Sequence, residues 1–330
     1  MRQPEVASRL TALALALVLV APVASAAASL LLSAGFLAEF LSDGALPALS
    51  TLTPAPTRHA AGAMRDTWTT ATLGTAPPLL LVHGYAPQGK DDPRLVHAAA
   101  LLARAGFDVV VPTLPGLTRG RLRPDDAGVV VSALETRPGP WAIVSISIGA
   151  APAFTAAADP RVRDRVGILL ALGPHGSASE TLRFWLTGAF AFDGISGRVS
   201  HDPALVRAFV DANGDLVDAS TRAALQAGDP AALERALAAL PQDVRRLLDQ
   251  VSPVRAIPAV RARVILVHGY SDRAVPYTES LRLAAARPAR TRVVLLQAVG
   301  HVEAEPGSLW RAAHDGVRLL IAFHALRHAG

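Results

Sequence analysis

The sequence contains no cysteine, so neither a disulfide nor a thiolate metal site is open to it. That absence excludes a type of bond without naming a compartment. Lysine is almost missing too: Lys90 is the single one, and the rest of the 32 basic residues are arginine. Against 27 acidic residues they leave a formal charge of +5. Aromatics are only 5% of the chain, and no basic stripe is interleaved with them. Nucleic acid is therefore not an expected partner, since its recognition needs that interleaving. No H-E-x-x-H or other histidine cluster points to zinc, and no metal site is expected.

One further absence is local. No charged residue occurs from Leu10 to Ala38, in a run that comes after Arg2 and Arg9 and ends before Glu39 and Asp43. A positive start, an apolar stretch and the small triplet Ala24-Ser25-Ala26 read as an export signal. The apolar stretch resumes at Leu30-Leu31-Leu32, and the whole is long enough to span a bilayer, which takes about 20 residues. Residues 1–40 are read as a signal peptide or an N-terminal membrane anchor, with a buried core helix as the alternative. The arginines before the run place the remainder of the chain outside the cytoplasm, whether or not the segment is cleaved.

Half of the chain is apolar (51% of 330 residues), enough for a sizeable core. Residues 41–76 read as a linker with one or two leading strands. From Pro77 short apolar runs alternate with Ala/Leu-rich stretches of helical period, the pattern of an α/β fold with a mostly parallel sheet flanked by helices. Strands are expected at Leu79–Val82, Asp108–Val111, Ala142–Ser145, Gly167–Leu172, Arg263–Val267 and Arg292–Gln297. Helices are expected at Arg94–Arg104, Asp125–Glu135, Ala150–Ala158, Thr278–Ala286 and Leu309–His324, the first of them started by Asp92-Pro93. Residues 77–174 and 259–330 form this core. Residues 175–258 interrupt the alternation, look wholly helical and are read as a cap over one edge of the sheet. Phe184, Trp185, Phe190 and Phe192, near the start of the cap, suit either its own core or the roof of an apolar pocket.

The pentapeptide "LVHGY" occurs twice, at Leu81–Tyr85 and Leu266–Tyr270, with no period around it. Each copy is a strand end with a turn glycine after it. Ligands of open α/β sheets bind at that edge. "WAIVSISIGAAPAF" runs a strand into a helix through Ser147, with Gly149 two positions on. A nucleophilic serine needs such a turn, which lifts its hydroxyl clear of the sheet beside the helix N-terminus. A turn serine with no chemistry is the alternative. Asp272 comes after the strand Arg263–Val267, and His301 after the strand Arg292–Gln297. The order Ser, Asp, His at three strand ends is that of a nucleophile, an orienting acid and a base. The amides of Tyr85 and Ile148 are the expected oxyanion donors. Gly84 lets the first loop turn, and His83 holds it.

With these motifs the chain resembles an α/β-hydrolase from about Pro77 to its C-terminus. The resemblance implies Ser147 as nucleophile, Asp272 as acid and His301 as base, with the 175–258 insertion where that family carries its cap. Ser145 stands where the family's G-x-S-x-G elbow has its first glycine, and Thr113 in "PTLPGLTRGR" stands where relatives often have aspartate. A serine nucleophile argues against the epoxide hydrolase and dehalogenase branches.

The expected activity is cleavage of a carboxylic ester or thioester through an acyl-enzyme, outside the cytoplasm, on a small-molecule or lipid-like substrate and without a cofactor. The alternatives are acyl transfer on the same fold, and an anchored binding module with an inactive site. Asp211–Asp218 spaces oxygens somewhat like a calcium loop, but it lacks the sixth-position glycine and the closing glutamate and reads as a turn. Arg119, Arg121 and Arg123 read as a solvated loop. Lys90, Asp91 and Asp92 read as capping and solvation.

Overall fold

The computed structural model describes residues 24–71, 76–201, 203–226, 229–297, 300 and 309–329. A long first helix, α1 (Ala24–Leu41), precedes a short α2 (Ala48–Leu52) and the antiparallel pair β1 (Thr57–Ala60) and β2 (Arg65–Thr69). The alternating core comes next, as β3 (Pro78–Val82), α3 (Pro93–Arg104), β4 (Asp108–Pro112), α4 (Asp126–Leu134), β5 (Trp141–Ile146), α5 (Ala150–Ala158) and β6 (Val166–Leu172). The inserted segment carries α6 (Ala178–Thr187), β7 (Ala189–Phe192), β8 (Ile195–Arg198), α7 (Pro203–Ala212), α8 (Ala219–Gln226), α9 (Pro230–Ala238), α10 (Gln242–Gln250) and α11 (Pro253–Ala256). The core then closes with β9 (Arg263–Gly269), α12 (Thr278–Ala286), β10 (Thr291–Leu296) and α13 (Leu309–His324).

Eight strands form one sheet in the order β1-β2-β4-β3-β5-β6-β9-β10. The six from β4 to β10 run parallel, and β2 joins them antiparallel. Both faces are covered, which is why the strands read as continuous apolar runs. Leu79, Leu81, Val109, Val111, Ala142 and Val144 face α3 and α13, while their alternates Leu80, Val82, Val110 and Ile143 face α4 and α5. The chain leaves β3 for β4 on one side and returns to β5 on the other. The sheet therefore reverses direction between β3 and β5, and a crevice opens at their C-terminal ends.

Helix starts obey local chemistry. The Asp92 carboxylate accepts the Arg94 amide at 2.9 Å and Pro93 opens α3, as the dipeptide predicts. The insertion is not wholly helical. β7 and β8 pair as a hairpin across Asp193 (φ 49°) and Gly194 (φ 77°), the left-handed pair of a two-residue turn.

Only the N-terminal part of α1 stands clear of the domain, with Leu30 and Leu31 exposed. Further along, Phe36 is buried and stacks on Phe323 of α13 at 4.1 Å between ring centroids and on Phe40 at 5.4 Å. Glu39, expected only to mark the end of an apolar run, is itself buried. Its carboxylate accepts the amides of Leu49 (2.8 Å) and Ser50 (2.9 Å), capping α2 from outside the helix. Among the described residues, α1 is the one helix long and apolar enough to cross a membrane. Its second half is packed on the core.

Candidate active site

Ser147 sits where β5 passes into α5 and has φ 53°, a left-handed backbone that an ordinary serine avoids. Two glycines make room for the turn. A Cβ on Gly149 would lie 2.3 Å from the His83 carbonyl oxygen, and one on Gly84 would lie 2.9 Å from the Ile146 carbonyl oxygen and 3.1 Å from the Ser147 Cβ. The end of β3 is thus pressed against the elbow, at the point where the sheet order reverses. His83, Gly84, Ser147, Ile148 and Gly149 come together here, and Tyr85 is next in the chain with its ring exposed. Ser145 fits the tight approach expected of a glycine, but at a cost. Its buried hydroxyl has no hydrogen-bond partner among the described residues.

The loop after β3 is stapled to the loop after β4. The Leu114 amide donates to His83 Nε2 at 2.9 Å, which leaves Nδ1–H to donate to the Gly84 carbonyl at 2.7 Å. Burial pushes the His83 pKa down against the pull of that carbonyl and of Asp92, so the ring is neutral. A second staple runs from the Lys90 amide to Thr113 Oγ1 at 3.0 Å. Thr113 thereby ties the loop after β4 to the one after β3. Further along it, Asp126 accepts the amides of Gly116 (3.1 Å) and Leu117 (3.2 Å).

Asp272 lies in the turn after β9 and is buried. Its Oδ1 accepts the amides of Ala274 (2.8 Å) and Val275 (2.9 Å), and its Oδ2 lies 3.2 Å from His268 Nε2. His268, from the second LVHGY copy, also reaches the Val275 carbonyl at 2.9 Å and the Ser280 hydroxyl at 2.8 Å, so it clamps the turn that holds the carboxylate. β5 and β9 are parallel and separated by β6 alone, which brings Ser147 and Asp272 to one edge. His301 lies outside the described residues.

The inserted segment is tied to this edge. Trp185 Nε1–H donates to the Ala274 carbonyl at 2.6 Å, two residues past Asp272. Phe184 is cap core, edge-on to Phe190 and His201. Phe192 carries the Arg282 guanidinium 4.6 Å from its ring centre. His175, after β6, has no motif in the sequence to mark it. It is buried, with Nε2 3.0 Å from the Val251 carbonyl. Burial lowers its pKa against the pull of that carbonyl, the Glu279 carboxylate and the Ser147 backbone beside it. Glu279 in turn accepts the amides of Gly176 and Ser177 at 3.0 and 2.7 Å, fixing the hinge into the cap.

Lys90, Arg121 and the acids of the 211–218 segment have structural partners. Lys90 pairs with the buried Asp66 and with Asp91. Arg121 donates to Asp215 at 2.7 Å, and Asp218 accepts the Thr221 amide at 2.7 Å at the start of α8. The side-chain oxygens of Asp211, Asn213, Asp215 and Asp218 all accept from protein donors, and no group of three metal-ligating side chains occurs among the described residues.

Residues 79–314 match the sequence profile of the alpha/beta hydrolase family. No curated protein matches the chain by sequence. Among solved structures, a 2,6-dihydroxy-pseudo-oxynicotine hydrolase superposes with a TM-score of 0.52 at 16% identity, over 88% of this chain and 72% of that one. A puromycin-hydrolyzing peptidase from Mycobacterium tuberculosis gives 0.50 at 18% identity, over 83% of this chain and 40% of that one. An acylaminoacyl peptidase from Pyrococcus horikoshii gives 0.50 at 16% identity, over 82% and 40%. This chain therefore spans well under half the length of either peptidase. At these identities the likeness is one of fold.

Proposed function

Since the chain belongs to the alpha/beta hydrolase family, we propose that it is a serine hydrolase that cleaves a carboxylic ester or thioester through an acyl-enzyme. The observation that carries this is Ser147, held at φ 53° on a strand-to-helix turn and backed by Gly84 at the reversal of the sheet. In this reading the Ser147 hydroxyl attacks the acyl carbon while His301 takes its proton. Asp272 orients the imidazole and stabilises its charged form. The amides of Tyr85 and Ile148 receive the developing oxyanion, a contribution worth about 3 kcal/mol per donor in comparable sites. His301 then gives the proton to the leaving alcohol or thiol. A water activated by the same imidazole releases the acid. The chemistry needs no cofactor.

The N-terminal helix supports an anchored or exported enzyme whose catalytic domain lies outside the cytoplasm. A small-molecule or lipid-like ester suits that setting.

The test uses the full chain in detergent, as wild type and as Ser147→Ala. Each is exposed to a fluorophosphonate and assayed on p-nitrophenyl esters, a thioester and p-nitroanilides, with and without an added alcohol. Labelling and ester turnover in the wild type alone is the expected result. Turnover of anilides only would make the enzyme an amidase, and ester formation with the alcohol would make it an acyltransferase. A folded wild type that neither labels nor turns over would leave an inactive binding module.

A further inference from the structure

α13 runs against the parallel strands. Midway along it, Asp315 accepts the Gln297 amide at 2.6 Å and Arg318 donates to the Leu295 carbonyl at 2.6 Å, both at the C-terminal end of β10. Beyond its last turn the partners lie at the opposite end of the sheet. Arg327 donates to the Ala105 carbonyl shortly before β4, and the His328 carbonyl accepts Arg263, the first residue of β9. Phe107, one residue ahead of β4, meets Phe323 edge-on at 5.9 Å. α1 joins α13 at this same end, where Phe36 stacks on Phe323 and Ser33 Oγ lies 3.4 Å from His324 Nδ1. Ser33 is buried, whereas Leu30, Leu31 and the residues from Ala24 to Ala27 are exposed. The free half of α1 therefore leaves the domain at the N-terminal end of the strands.

The candidate active site is at the other end. Tyr85, Ser147 and Asp272 come after the last residues of β3, β5 and β9. The seven residues of β6, or of β9, put about 20 Å between the two ends. No loop separates the free half of α1 from the packed half, since Ala24–Leu41 is one helix. A flexible tether would let the domain turn over against a membrane, and a helix continuous with the core does not. The charge-free run from Leu10 also leaves, ahead of the buried Ser33, the length of about 20 residues that a bilayer crossing takes. We infer that α1 holds the catalytic edge facing away from the bilayer, so that the acyl donor is a molecule dissolved in water and not a lipid of the membrane that carries the enzyme. The inference rests on α1 as the anchor and on Ser147 as the nucleophile. Of a small-molecule and a lipid-like ester, it selects the first.

The chain has no cysteine, so a single introduced one is labelled alone. The full chain is reconstituted in phosphatidylcholine vesicles in which some lipids carry a nitroxide on the headgroup. Bimane is attached in Leu31→Cys, on the free half of α1, and in Tyr270→Cys, exposed at the catalytic edge. Leu31→Cys should lose most of its emission to the nitroxide, and Tyr270→Cys should keep it. Quenching in Tyr270→Cys overturns the orientation, and no quenching in Leu31→Cys overturns the anchor and the inference with it. Ile195→Cys, exposed in the hairpin of the inserted segment, takes the place of Tyr270→Cys if that variant does not fold. A second readout is access to Ser147 in the wild type. A water-soluble fluorophosphonate should label it in vesicles as fast as in detergent. A fluorophosphonate with a hexadecyl chain, held in the same vesicle membrane, should label it in detergent and not in vesicles. Equal labelling from within the membrane overturns the substrate class. A chain labelled by neither probe loses Ser147 as nucleophile, and the bimane pair then decides the orientation by itself.

Discussion

Ser145 faces Val82 of β3 and Ala171 of β6 across the ladder, and neither neighbour offers its hydroxyl a partner. A buried, unpaired hydroxyl costs on the order of 1–3 kcal/mol. Ser145→Ala should therefore raise stability by about 1 kcal/mol, seen as a rise of about 2 °C in the melting temperature. A melting temperature that stays put or falls would mean the hydroxyl does find a partner. The elbow was legible in the sequence because its serine, its small neighbours and its position between a strand and a helix are all local. His175 was not legible. What makes it notable is burial and a bond to Val251, which lies 76 positions away across the whole insertion. No local pattern encodes such a contact.

The elements of the sheet were readable because each strand, buried on both faces, is a compact apolar run between helices of regular period. The hairpin of β7 and β8 was missed although its signal is present. Asp193-Gly194 is a favoured pair for a two-residue turn, and "AFAF" and "ISGR" are too short to stand out between helices. The charge-free run of α1 was just as visible, but its partner on α13 was not. Phe36→Ala should lower the unfolding free energy by about 3 kcal/mol, the cost of emptying a packed phenyl site. The urea midpoint measures it. A midpoint shifted by no more than that of Leu31→Ala, an exposed position on the same helix, would show that the stack contributes nothing.

For the molecule as a whole, acid should act through its buried imidazoles. His83 and His175 are both held neutral by burial, so their folded pKa values lie below the ordinary value of 6.5. Between those lowered values and 6.5 the unfolded chain takes up protons that the folded one refuses, so stability is full above 6.5 and declines as the pH drops below it. Asp126, raised by burial from 3.8, works in the opposite sense, gaining stability as the pH falls towards 3.8. Melting temperatures should fall from pH 7 towards about pH 5, with a shallower fall in His83→Gln. A flat profile across that range in the wild type would contradict neutral, buried rings.

Ser33 and His324 meet at 3.4 Å although 291 positions separate them. The first described helix and the last therefore complete one another, and such a contact forms only after both have been made. Until α13 has been made, Phe36 lacks the ring it stacks on in the finished fold. For that interval the second half of α1 is packed only in part. Only later does the finished fold claim half of it as core. One stretch of sequence thus waits on another 291 positions away, and the order of synthesis sets when its apolar side is fully covered.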